Sequence, residues 1–268
     1  MNATAKYDAR AKAVNSLLCV GLDSDLAKLP QPFLQCDQPQ LAFNRHIIDA
    51  TAEYAAAFKL NSAFYEAAGA SGWRQMAETV AYLRERHPDI LIICDAKRAD
   101  IGNTSAAYAS AIFDRLGFDA VTLSPYLGWD ALAPFLSYAH KVSIVLCRTS
   151  NPGGADLQNL LVNGVPLWQA VAQQAAQRNE RDNIMLVAGA TYPRELAKIR
   201  EIVGAMTLLV PGVGAQGGDV AEVLDAGLNS VGRGLIINSS RGIVFIADPA
   251  QAAASLRDRI NAERRHAP

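Results

Sequence analysis

No apolar run in the 268-residue sequence approaches the length of a membrane span, so nothing in it predicts insertion into a bilayer. Nor is there an excess of one charge. The 25 Lys and Arg balance 26 Asp and Glu, which leaves no basic field to attract nucleic acid or an anionic surface. The first residues lack a signal-peptide core, and Leu17–Leu22 is too short to supply one, so a cytoplasmic location is expected. The four cysteines (Cys19, Cys36, Cys94, Cys147) form no C-x-x-C pair, and three lie inside apolar runs, as small buried thiols of a reduced compartment do. The four histidines are scattered without ligand spacing, and no metal site is expected. No G-x-G-x-x-G follows the first apolar run, which disfavours an open dinucleotide-binding sheet.

What is present is alternation. Short apolar runs fall at Leu17–Leu22, Ala56–Leu60, Ile90–Cys94, Ala120–Leu123, Ser143–Cys147, Ile184–Ala188, Thr207–Val210 and Ser230–Gly232, each followed by a helix-compatible stretch. Eight such βα units predict a parallel sheet wrapped by helices and closed on itself: a (β/α)8 TIM barrel occupying residues 1–268 as a single domain. Asp248-Pro249 reads as a helix start, with aspartate as cap and proline in the first turn. The longest irregular insertion, Asn151–Asn159, follows the fifth run.

In a barrel of this kind the reactive groups come from the C-terminal ends of strands. Asp95-Ala-Lys97-Arg-Ala-Asp100-Ile101 follows the apolar run Ile90–Cys94, so two carboxylates and an ammonium stand at the mouth of a buried strand. Strand side chains alternate, which sends Asp95 and Lys97 to one face, with Asp100 in the loop beyond. Charges there are costly unless they pair or serve a reaction. For any single such pair a surface ion pair at a strand end is the better explanation. Asp23 after the first run, Lys59 in the second and Arg148-Thr149-Ser150-Asn151 after the fifth converge on the same end. The glycine-rich Pro211–Gly218 segment, with Gln216, and the later Gly232-Arg233 together read as a phosphate site: exposed backbone N–H groups plus a guanidinium fork. A phosphorylated small-molecule substrate is therefore expected. Pro211–Gly218 and Asn151–Gln158 are the candidates for closing over it.

Asp95-Ala-Lys97-Arg-Ala-Asp100-Ile101-Gly-Asn103-Thr104 resembles the D-x-K-x-x-D-I-x-N-T signature of the orotidine 5′-phosphate decarboxylase family. Pro211–Gly218 and Val231-Gly232-Arg233 follow in the family's order, and Lys59–Glu66 with Arg148–Gly154 looks like its more divergent bacterial branch. The resemblance spans nearly the whole chain and implies loss of CO2 from orotidine monophosphate, the last step in making UMP, with no cofactor. It implies Lys97 as proton donor to C6 of the pyrimidine, within a charged array of Asp95, Asp100 and Lys59. It implies Asp23 and Lys59 at the ribose, Ser150 (or Thr149) at the pyrimidine, and Gln216, Gly232 and Arg233 at the phosphate. It further implies a homodimer, with Asp100, Ile101 and Thr104 completing the partner's site. Two other readings compete: a related barrel enzyme that stabilises an enediolate with Mg²⁺, and a barrel that binds a phosphorylated ligand without turning it over.

Overall fold

The computed structural model describes residues 2–213 and 218–264. Eight parallel strands close into a barrel: β1 (Leu18–Gly21), β2 (Ala57–Asn61), β3 (Leu91–Arg98), β4 (Ala120–Leu123), β5 (Val142–Arg148), β6 (Ile184–Ala188), β7 (Leu208–Pro211) and β8 (Leu235–Ser239). Each strand pairs with its neighbours in chain order, and β8 closes on β1 through Leu18↔Ile237 and Val20↔Ser239. The molecule is a TIM barrel, as the alternation predicts.

The strands form because their residues suit two-sided burial. Runs such as Leu91-Ile-Ile-Cys94 are apolar at every position, since one face fills the barrel and the other meets the helices. Among the described residues the charged side chains of the strands lie toward the C-terminal ends. Lys59 and Asn61 of β2, Asp95 and Lys97 of β3, and Leu209 and Pro211 of β7 are each two residues apart and line one cavity. Helices Gly69–Arg86 and Pro193–Val203 turn their buried residues toward the barrel wall at helical spacing. Helix Pro249–Arg264 begins as Asp248-Pro249 predicts, the Asp248 carboxylate accepting from the Gln251 N–H at 2.9 Å. Cys19, Cys94 and Cys147 are buried, and burial pushes each thiol up to about 12, while Cys36 is exposed.

One predicted element is corrected. Ser230–Gly232 is not the eighth strand. Gly232 (φ +67°) and Gly234 (φ +85°) adopt the left-handed region, which breaks an extended run and makes a turn. The strand starts at Leu235 and ends at Ser239, so the polar residues that emerge at the barrel mouth are Ser239-Ser240-Arg241.

Candidate active site

The mouth of the barrel holds a cavity of about 410 Å³. Asp23, Lys59, Asn61, Asp95, Lys97 and Thr122 line one side of it, and Thr149, Ser150 and Asn151 line another. Pro211, Gly212, Val213, Asn238, Ser239, Ser240 and Arg241 close the rest.

Asp95 is the hub. Its Oδ2 accepts from Lys59 Nζ at 3.0 Å, and its Oδ1 accepts from Lys97 Nζ at 2.6 Å and from Thr122 Oγ1 at 2.9 Å. Lys59 also lies 3.6 Å from Asp23 Oδ1. Burial alone would raise the Asp95 carboxyl. The charges of Lys59 and Lys97, and the hydrogen bonds they donate, outweigh it and hold Asp95 well below the usual carboxylate range. Burial alone would lower Lys59. Asp23 and Asp95 reverse that and raise Lys59 above an ordinary lysine. The two lysines differ in access: the Lys59 side chain is 4 % exposed and that of Lys97 50 %. One cation is locked into the wall while the other reaches into the cavity.

Lys97 is also one of four non-glycine residues with positive φ, at +49°, among the described residues. A lysine in the left-handed region is disfavoured by Cβ sterics and persists only where its surroundings hold it. Here the holding comes from the bonds of its own N–H and ammonium to Thr122 and Asp95.

The loop after β5 is tied down from behind. Arg148 is 2 % exposed, and its guanidinium lies 3.5 Å from the centre of the Tyr192 ring. Gln158 Oε1 accepts from both Arg148 Nη1 (3.1 Å) and the Thr149 N–H (3.0 Å), and its Nε2 donates to Thr149 Oγ1 at 2.8 Å. Gly189 permits this packing, since a Cβ there would stand 2.7 Å from the Ser150 backbone. Gly21 plays the same part under the β8 end, where a Cβ would collide with Ser240 Oγ.

The structure brings together Asp23, Lys59, Asp95, Lys97 and Ser150 of the residues singled out in the sequence. Asp100, Ile101 and Thr104 lie outside the cavity on the loop and helix start after β3, where Ile101 is 63 % exposed. Gln216 lies outside the described residues. Gly232 and Arg233 are corrected: they precede β8 and therefore sit at the opposite, N-terminal end of the barrel. Arg233 there lines a separate cavity with Thr4, Asp8, Asp182 and Asn229. The cation that β8 does deliver to the mouth is Arg241. Arg241 is not among the residues singled out in the sequence, and neither are Thr122 and Asn238. The signal for Arg241 was available: Leu235-Ile-Ile is a better apolar run than Ser230-Val-Gly, and Asn-Ser-Ser-Arg-Gly follows it.

Comparison with known proteins fits this geometry. Residues 16–256 match the model of the orotidine 5′-phosphate decarboxylase / HUMPS family. The orotidine 5′-phosphate decarboxylase of Cellvibrio japonicus is 48 % identical over 260 residues, covering 93 % of this chain and 94 % of the relative. That of Halorubrum lacusprofundi is 52 % identical over 245 residues, covering 89 % and 86 %. The structure of the Leishmania donovani OMP decarboxylase superposes with a TM-score of 0.88 at 41 % identity, over 98 % of this chain and 99 % of that one. With a closed eight-stranded barrel, a lysine–aspartate array at its mouth and full-length relatives of one name, the chain belongs to the orotidine 5′-phosphate decarboxylase family.

Proposed function

We propose that the chain decarboxylates orotidine 5′-monophosphate to uridine 5′-monophosphate without a metal or organic cofactor, and that Lys97 protonates C6. The observation that carries this reading is the Asp95 carboxylate held between two ammonium groups, of which Lys97 is by far the more exposed at the cavity.

Loss of CO2 from C6 leaves an electron pair in the plane of the ring, where the π-system cannot delocalise it. Stabilisation must then be electrostatic and in place beforehand. An ammonium beside C6 lowers the energy of that pair and then supplies the proton, leaving a neutral amine that recovers a proton from solvent. Asp95 orients the ammonium, and Lys59 neutralises the other carboxylate oxygen so that Asp95 stays ionised. The Asp23 side chain lines the cavity beside Lys59 and is partly exposed to it, which suits its carboxylate to accept a ribose hydroxyl. Ser150 lines the cavity and is assigned to the pyrimidine, while the Thr149 hydroxyl, bonded to Gln158 and Asn151, holds the loop. Arg241, with the Ser239–Ser240 and Gly212–Val213 segments, supplies the phosphate pole in place of Gly232 and Arg233. Binding there is remote from C6 and serves to anchor the substrate. Asp100, Ile101 and Thr104 would serve the site of a second subunit in a homodimer.

The test is loss of orotate-ring absorbance in the presence of EDTA. Turnover should persist with the chelator, and Lys97→Ala should abolish it while circular dichroism stays unchanged. Sensitivity to EDTA would favour the enediolate barrel instead. Nucleotide binding without any turnover would favour a pure binder.

A further inference from the structure

We infer that Thr122 is a positioning residue for the decarboxylation proposed above, acting through Asp95 and Lys97 and not on substrate. The inference rests on that functional reading for its kinetic consequence but on strand register for its geometry.

β3 and β4 pair at Cys94↔Val121 and next at Arg98↔Leu123. Three residues of β3, Asp95–Lys97, are thus set opposite one residue of β4, Thr122. A bulge of this kind leaves backbone groups without ladder partners and re-aims the side chains it carries. Thr122 answers both needs with one hydroxyl. Its Oγ1 accepts the Lys97 backbone N–H at 3.0 Å and donates its own proton to Asp95 Oδ1 at 2.9 Å. That same Oδ1 receives the Lys97 ammonium at 2.6 Å. The side chain, the carboxylate and the main chain of the bulge are therefore tied to a single atom, and Thr122 is only 1 % exposed.

The direction of each bond is fixed. A hydroxyl has one proton and must spend it on the carboxylate, because the Lys97 N–H is itself a donor. Replacing Thr122 with valine keeps the shape and removes both bonds. Lys97 would then hold its left-handed conformation with its N–H unpaired, and Asp95 would lose the donor that sets its rotation about Cβ–Cγ. The ammonium would still be present but no longer fixed beside the reacting carbon. Serine retains both bonds and loses only a methyl group. The γ-methyl of threonine gives a bland alternative, in which the residue merely fills space in β4. That alternative predicts the reverse ranking, with valine harmless and serine harmful.

The experiment compares Thr122→Val and Thr122→Ser with the wild type in three readouts. The first is kinetic: kcat of the valine variant should fall roughly a hundredfold, with KM and UMP affinity little changed, because displacing a reacting group by about an ångström has that consequence. Serine should restore kcat. The second is hydrogen exchange at the Lys97 amide, which should be slow in the wild type and serine variant and fast in the valine variant. The third is the thermal midpoint, which controls for general damage. A valine variant with kcat within about tenfold of wild type, equivalent to about 1.4 kcal/mol of activation free energy, overturns the inference. So does unchanged exchange at Lys97. If valine prevents folding, Thr122→Ala removes the same two bonds and is read in the same way. A wild type that turned over no orotidine monophosphate would sink the functional reading, and the amide exchange would still decide whether Thr122 holds Lys97.

Discussion

The residue scale turns on Lys59, a cation 4 % exposed between two carboxylates. Burying it is costly, and the pairing offsets that cost only while both partners are ionised. Lys59→Met keeps the length and removes the charge, leaving Asp95 and Asp23 facing each other across the wall. Its unfolding free energy at pH 7 should fall by about 3 kcal/mol, the penalty for stranding a buried partner. The pH dependence follows from the depressed Asp95 carboxyl. The unfolded chain takes up the proton first, near pH 3.9, so the stabilisation from this group is fully present above that value. It is lost as the pH falls further toward the folded-state pKa. In urea titrations the gap between wild type and Lys59→Met should therefore narrow from pH 7 to pH 3. A gap that stays constant would detach Asp95 ionisation from Lys59. At this scale the sequence was readable where residue type itself is costly: Asp95, Lys97 and Lys59 stand out as charges at the end of apolar runs. Thr122 was not readable. A threonine in a strand is unremarkable, and its importance comes from a register shift that no residue type announces.

At the scale of elements, most of the barrel was readable because strands buried on both faces are apolar throughout and are flanked by polar loops. The eighth strand falls at Leu235–Ser239 and not at Ser230–Gly232, where the alternation of short runs offers only Val231 as an apolar strand former. Gly232 and Gly234 favour a turn, and the better apolar run begins one residue later at Leu235. A displacement of a few residues at a strand moves its side chains from one end of the barrel to the other. Arg233 instead serves the base, where its backbone bonds Asn229 and its charge partly counters the burial that raises the Asp8 carboxyl. The consequence is a sharp contrast between two arginines eight residues apart. Arg241→Ala should raise the KM for orotidine monophosphate roughly tenfold to a hundredfold, the worth of a charged hydrogen bond of about 1.5–3 kcal/mol. Arg233→Ala should leave KM unchanged and act, if at all, on stability. Steady-state kinetics of the two variants side by side decides it. Equal KM in both would leave the phosphate pole without its cation.

For the whole molecule, the informative feature is what one chain leaves uncovered. The Arg98 carbonyl accepts the Ser124 N–H at 3.0 Å, which holds the loops after β3 and β4 side by side. On those loops Ile101 is 63 % exposed, Tyr126 78 % and Leu127 50 %. Scattered apolar residues on a surface are ordinary, whereas adjacent ones beside a catalytic mouth suit contact with another subunit. Residue types alone do not display such a contact, because an interface is a relation between two copies; the resemblance in the sequence is what implies a partner for Asp100. If Asp100 of one subunit completes the site built on Lys97 of the other, two inactive variants should repair each other. In a mixed dimer of Lys97→Ala with Asp100→Ala, one site carries both lesions and the other carries neither. Random reassortment of equal amounts makes half the dimers mixed, so roughly a quarter of wild-type activity should return under twofold symmetry. Each variant alone should remain inactive at every concentration, and the recovered activity should appear with the time course of subunit exchange. No recovery, in a mixture that sedimentation shows to contain dimers, would return Asp100 to its own subunit.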